Sequence, residues 1–462
     1  MLNRLFSALR GRGARVLPAP SAAPAPDPAI PLDALRERLE QGDSIAVCGE
    51  LHTLANRHPG NADVLALYGW ALFEVSAIND AREALAAALR LRPDHLDALN
   101  TMGAMAAELE HPADAIGWFE DVLDAAPDDA ATKYNLGQVL FLDGQYKRGF
   151  ELLRFRHDML YRSDNPLAPL PVWQGEDMAG KHLFVWCDWG GLGDHLQFVR
   201  YVPLLRERAR PARLTLGCAP GFGNLFSRIE GVDAWVPTGQ SPVADMHCPL
   251  LNLPRLFGTD LDSVPATIPY LRADAALAAE WAQRLAKAGL PEGTLRAGLV
   301  WKSTGPGHEA LIYQRMRRTK SIPPYLLGIL ADSNASFISL QVGVSPQESM
   351  ATNLKLYDCS GAISSFDDTA AIIANLDVVV SADTSVAHLA GAMGKPVLLL
   401  LRRESGMFWL HDRADSPWYP DMRILRQQSS GEWRAVLEEA AHWLRVAARD
   451  GAQAIAPGAH GK

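Results

Sequence analysis

Asp377-Val-Val-Val-Ser-Ala-Asp-Thr-Ser-Val-Ala-His-Leu-Ala-Gly-Ala-Met-Gly-Lys-Pro396, with the apolar run Val397–Leu401 behind it, decides how the chain is read. Val378–Val380 is β-branched without polar alternation, which predicts a short buried strand. Ser381, Asp383, Thr384 and Ser385 crowd the next turn, as helix-capping residues do. Val386–Met393 is small and apolar enough for a tightly packed helix, Gly394-Lys-Pro closes it, and a second buried strand follows. A helix start carries unpaired N–H donors and about half a positive charge, so this unit is suited to a phosphate. His388 lies one turn in and adds another donor. The plain structural alternative is a capped helix in an α/β core.

Composition sets outer bounds. A chain of 462 residues predicts two or three domains, and 21% charged with 48% hydrophobic residues is ordinary for a globular protein. The net charge of −9 argues against nucleic-acid binding by bulk charge. Cys48, Cys187, Cys218, Cys248 and Cys359 are scattered, which fits neither a zinc site nor a disulfide framework and suits a reducing, cytoplasmic setting. There is no apolar run of about 18 residues, so no membrane span is expected. Met1–Val16 has four arginines and no acid, and Pro18–Pro31 is rich in Pro and Ala. Residues 1–30 are expected to be a disordered segment, with a surface-binding or targeting helix as the alternative.

From Pro31 the sequence repeats every 34 residues: Gly69, Gly103 and Gly137 share one position, and Pro59, Pro93 and Pro127 another. Ala81, Ala115 and Gly149 keep a small residue where two helices cross, while Leu85, Phe119 and Leu153 keep a large one. This is the tetratricopeptide pattern, expected over residues 31–162, with Pro31–Gly60 a degenerate first repeat. Such arrays present a concave surface to peptides, although three or four repeats could equally serve as a scaffold.

After the Pro/Asn-rich stretch Ser163–Pro171 the pattern changes. Lys181–Cys187 predicts a strand, and Asp188-Trp-Gly-Gly-Leu-Gly-Asp-His195 predicts a glycine turn into a helix. Gly191 and Gly193 would let backbone N–H groups approach a ligand. The loop is not a P-loop, and no ribose-binding acid of a dinucleotide fingerprint is evident. Further strands are predicted at Arg213–Cys218, Ala234–Val236, Arg296–Lys302 and Ser336–Gln341, with a helix over Ala273–Gly289. Phe408-Trp-Leu and Asp415-Ser-Pro-Trp-Tyr-Pro420 read as loops whose aromatics either stack on a ligand or pack in the core.

Gly191-Leu-Gly-Asp194 with Pro203, Gly298-Leu-Val-Trp-Lys302, and Ser381-x-Asp-Thr-Ser-x-x-His388-x-Ala-Gly-Ala-x-Gly-x-Pro396 together resemble the heptosyltransferase-type glycosyltransferases (family 9). The whole chain resembles bacterial proteins that join tetratricopeptide repeats to such a domain. Its architecture is similar to that of O-linked N-acetylglucosamine transferase and the flagellin glycosyltransferases. The resemblance implies an all-α superhelix followed by a GT-B fold of two Rossmann-like domains. The acceptor side would occupy 172–272, and the nucleotide-sugar side 273–448 with a final crossover helix. A loose tail would follow at 449–462.

It also implies sugar transfer from a nucleotide-activated donor without a metal or other cofactor. The leaving diphosphate would then be stabilised by N–H dipoles and cations: Thr384, Ser385 and His388 at the helix start, Gly191 and Gly193 in the loop, and Lys302 as the family's phosphate-binding lysine, with Asp383 either a further ribose or phosphate-site residue or a structural cap. Lys302-Ser-Thr-Gly-Pro departs from the Ala-Gly-Asn-Pro usual after the tryptophan. Arg315-Met-Arg-Arg-Thr-Lys320 adds charge. Asp194 matches the family's proposed base, and His195 is its rival; a helix cap is the structural alternative for Asp194. The one Asp-x-Asp triplet, Asp260-Leu-Asp262, reads as a solvated turn. The repeats favour a protein acceptor, such as flagellin or another surface protein. A lipopolysaccharide or capsule transferase and an inactive repeat adaptor are the alternatives.

Overall fold

The computed structural model describes residues 30–109, 111–156, 170–187, 190–304, 317–404, 406–411 and 413–458. Residues 1–29, most of the Ser163–Pro171 stretch, Asp188-Trp189 and the last four residues lie outside these, so the disordered N-terminal segment expected from the sequence is not described. The chain divides between Val139 and Leu140 into two compact units.

The first unit is built from helical hairpins. α1 (Leu32–Glu40) pairs with α2 (Ser44–Arg57), α3 (Ala62–Glu74) with α4 (Ile78–Leu91), and α5 (Leu96–Glu108) with α6 (Pro112–Ala125). α7 (Ala130–Leu142) crosses the boundary between the units, and α8 (Tyr146–Leu153) lies wholly in the second. The repeat expected to run to 162 therefore gives its last helix to the α/β unit. The 34-residue period has a direct cause: a Cβ on Gly69 would stand 2.6 Å from Leu85 Cγ, and one on Gly103 would stand 2.7 Å from Phe119 Cε1. Glycine in the first helix admits the large residue of the second. The degenerate first pair is held by Leu35, Leu39, Val47 and Leu51, all buried.

The second unit holds two parallel sheets. β1 (His182–Trp186), β2 (Arg213–Cys218), β3 (Ala234–Pro237) and β4 (Met246–Pro249) are ordered β3-β2-β1-β4. Between β1 and β2 come α9 (Leu192–Phe198) and α10 (Tyr201–Ala209). After α11 (Ala275–Lys287) follow β5 (Leu295–Val300), β6 (Ala335–Ser339), α12 (Pro346–Met350), β7 (Leu356–Asp358), α13 (Phe366–Ala374), β8 (Val378–Ala382), α14 (Ser385–Ala392), β9 (Val397–Leu401), β10 (Met422–Arg426) and α15 (Trp433–Asp450). The second sheet is ordered β10-β9-β8-β5-β6-β7, the doubly wound order with a switch point between β5 and β8. β8 and β9 are buried along their whole length, as runs such as Val378–Val380 and Val397–Leu401 require. Each fully buried Val or Leu contributes about 1.5–3 kcal/mol.

Both sheets belong to one compact unit, and side chains join them. Phe222 meets Phe366 at 4.4 Å between ring centroids, and Arg228 pairs with Asp367. Arg200, buried after α9, donates to the carbonyls of Gln197, Pro265 and Trp418 and to Tyr270 Oη. α8 packs into the same joint. Phe150 contacts Phe198 of the first half and Phe408 of the second. Tyr146 stacks on Trp418, whose indole N–H donates to Tyr146 Oη at 3.1 Å.

Among the described residues, the buried stripe of α15 packs in the second half. Its Trp433, Val436, Leu437, Ala440, Leu444 and Ala447 enter the core beneath the second sheet. One expectation needs correction. Residues 449–458 do not form a loose tail: Ile455 is fully buried, and its carbonyl accepts from Arg423 Nε at 2.8 Å. Among the described residues, no helix is long and apolar enough to cross a membrane.

Candidate functional site

Each sheet opens its switch point toward a glycine- or hydroxyl-rich turn. After β1, Gly190 adopts φ +114°, and a Cβ there would stand 2.8 Å from Asp194 Oδ2, so glycine is required twice over. The Asp194 carboxylate turns back to accept the Gly191 N–H at 2.6 Å. The structural alternative is thus realised, since Asp194 caps α9, although it stays half-exposed at the loop. His195 is the next residue of α9. It is buried, and its ring lies edge-on to Phe222 at 6.3 Å. That seat is remote in character from a solvent-exchanging base.

After β8, Thr384 is the residue preceding α14, with extended backbone, but its side chain makes no cap to the helix. Its hydroxyl sits 3.1 Å from Ser381 Oγ instead, and Ser385 is half-buried at the first helical position. Asp383 is not a cap either. Its carboxylate pairs with Lys320 Nζ at 2.7 Å and accepts the Trp409 indole N–H at 3.0 Å. Burial pushes that carboxyl up, but Lys320, His388 and Trp409 outweigh it and hold it down at about 2.

His388 occupies the heart of the site. Its Nδ1 lies 3.0 Å from Tyr419 Oη, and its ring leans on Trp409 at 5.0 Å. Burial first, then repulsion from Lys320 and Arg200, lower its pKa to about 4 against the attraction of Asp383, so the imidazole is neutral near pH 7. α9 and α14 meet here: a Cβ on Gly193 would stand 2.6 Å from His388 Cδ2. The two turns that sequence places almost two hundred residues apart are therefore neighbours, joined at Gly193 and His388.

Lys302 is held differently. Gln341 Oε1 accepts the Trp301 and Lys302 N–H groups, and its Nε2 donates to the Lys302 carbonyl, pinning the chain beyond β5. The Lys302 ammonium then reaches both oxygens of Glu348 on α12, at 2.8 and 3.1 Å, on the β6 side of β5. It borders an open cleft of about 420 Å³ with Arg317, Arg318 and Ser321. The structure thus brings Gly193, Asp383, Thr384, Ser385 and His388 together and ties Lys302 elsewhere; Lys320 is the cation at the helix start.

In the sequence Lys320 is only the end of a charged run, and nothing there points to Glu348 or Gln341. Trp409 and Tyr419 read as loop aromatics, and the structure resolves their alternatives: both are buried, with Phe408 and Trp418, and neither is an exposed stacking platform. Asp260 takes the Leu261 N–H with its own carboxylate, as a turn residue does.

Comparison with known proteins agrees with the resemblance read from the motifs. Residues 359–432 match glycosyltransferase family 9 (heptosyltransferase). Protein FlbA of Caulobacter vibrioides is 25% identical over 442 residues, covering 81% of this chain and 71% of that one. A glycosyl transferase family 9 structure from Veillonella parvula aligns at TM-score 0.44 and 10% identity over 61% of this chain and 99% of its own. A Thermobaculum terrenum O-GlcNAc transferase mutant aligns at TM-score 0.32 and 14% identity over 93% of both chains. The chain thus joins helical hairpins of 34-residue period to a unit of two parallel sheets, and the part of that unit around α13, β8, α14 and β10 is similar to glycosyltransferase family 9.

Proposed function

We propose that the α/β unit transfers a sugar from a nucleotide-activated donor, with the donor diphosphate seated at the start of α14. The observation that carries this reading is the meeting of the two switch-point turns. Thr384, Ser385 and His388 supply neutral donors there, the helix start supplies N–H dipoles, and Lys320 stands beside them. The match of residues 359–432 supports sugar transfer as the chemistry. The acceptor is a protein hydroxyl recruited by the repeats, and Asp194 takes its proton. The charge of the departing diphosphate is met by these groups without a metal.

The test begins with a thermal-shift series over nucleotide sugars and nucleoside diphosphates. A ligand at 100 times its Kd adds about 2.7 kcal/mol of stability. With the donor known, Asp194→Asn keeps the acceptor for the Gly191 N–H but cannot take a proton. Transfer is expected to fall about 10²–10⁴-fold while donor binding holds. Transfer at the wild-type rate would leave Asp194 as a cap alone, and loss of activity in EDTA restored by Mn²⁺ would sink the metal-free account. If no nucleotide sugar binds the full chain, an inactive repeat adaptor is the better reading.

A further inference from the structure

We propose that Tyr419 is a positioning residue that holds the His388 imidazole with its proton on Nε2, so that His388 can donate to an anion at the start of α14. This rests on the reading of that helix start as the diphosphate site. An oxyanion only accepts, and a neutral imidazole has one N–H to give. The Nε2 edge faces the glycine loop, where a Cβ on Gly193 would stand 3.0 Å from Nε2. For that edge to donate, Nδ1 must accept, and the Tyr419 hydroxyl lies 3.0 Å from it.

The surroundings direct the Tyr419 proton the same way. Its competing acceptor is Tyr270 Oη, which takes an N–H from Arg200 at 3.0 Å and keeps a second lone pair, but an imidazole nitrogen is a stronger acceptor than a phenol oxygen. Tyr270 gives its own proton to the Leu196 carbonyl at 2.9 Å, so it is not the donor to Tyr419. The Arg200 guanidinium lies over the Tyr419 ring at 5.0 Å and fixes its plane. Gly391 makes room for that ring, because a Cβ there would stand 2.5 Å from Tyr419 Cδ1. Trp409 covers a face of the imidazole, which fixes the plane of the ring. His388 is thus set from behind, by a residue that need never touch a ligand.

The experiment uses the full chain labelled with ¹⁵N-histidine at pH 7, with His388 assigned by comparison with His388→Gln. Imidazole nitrogen shifts report the tautomer. The wild type is expected to show protonated Nε2 and bare Nδ1, and Tyr419→Phe, which keeps the ring beside Gly391, a mixture of both forms. The Kd for ADP, UDP or GDP, whichever binds, is expected to rise about three- to tenfold in that variant. Tyr68→Phe, which removes the hydroxyl beside His52 in the repeat unit, is the control and is expected to keep the wild-type His388 tautomer. A proton on Nδ1 in the wild type, or an unchanged tautomer in Tyr419→Phe, overturns the proposal. If none of the three nucleotides binds the wild type, the donor role falls with the diphosphate reading, and the shifts still decide the tautomer by themselves.

Discussion

The two sheets carry the same device, a helix start at the switch point, and finish it by opposite means. At α9 the finishing is local: Asp194, three residues on, closes the Gly191 N–H. At α14 it is imported. Lys320 comes from before β6, and Trp409 and Tyr419 come from between β9 and β10; together they hold Asp383 and His388. A helix start closed by its own sequence needs no distant partner for its cap. One closed by distant groups forms only when the whole sheet has assembled.

Removing an imported partner should therefore cost most. Lys320→Met leaves the Asp383 carboxylate buried beside an indole, and a loss of about 3–5 kcal/mol in urea unfolding is expected. Adding Asp383→Asn should recover much of it, and a loss below 1 kcal/mol would show that the pair is not the keystone of the turn. Next is pH. His388 titrates at about 4 folded against an ordinary 6.5. The unfolded chain therefore takes a proton that the folded chain refuses, and stability present above pH 6.5 is lost as pH falls toward 4, by on the order of 3 kcal/mol. Asp383, held at about 2, loses its contribution only below its ordinary 3.8, so the two windows separate. Unfolding of His388→Gln across pH 6.5 to 4.5 should lack this slope.

Smaller effects compare the two turns where they touch. Gly193→Ala drives a methyl into the His388 ring and should cost about 1–3 kcal/mol. Gly191→Ala, whose added carbon would stand 3.6 Å from Asp194 Oδ2, should cost far less by the same unfolding measurement. Smallest of all is Lys302→Met. The Lys302–Glu348 pair is more open to solvent than Lys320–Asp383, and less than about 1 kcal/mol is expected.

This difference also marks where the sequence can be read. The repeats, β5, β8, β9 and the hydroxyl-rich turn announce themselves, because a 34-residue period and unbroken apolar runs are local signals. β4, β7 and β10 do not. Met246-His-Cys-Pro and Leu356-Tyr-Asp are too short to show a pattern, and Met422-Arg-Ile-Leu-Arg is broken by charge. Among site residues, those standing in the turns are legible. Lys320 and Tyr419 are not, since nothing adjacent in sequence says which of two lysines reaches Asp383. Lys302 looks the better phosphate ligand until Glu348 arrives from across β6.

The seat of Tyr146 and Phe150 bears on how such a protein can be recombined. A graft that exchanged one repeat array for another at residue 162 would carry off α8, and with it the ring stacked on Trp418, next to Tyr419. The exchangeable cassette ends earlier, at the boundary between Val139 and Leu140 inside α7. Any transplanted array would have to be spliced in helical phase there, so that its new residues keep the native face of α7 while Phe141, Tyr146 and Phe150 stay with the host.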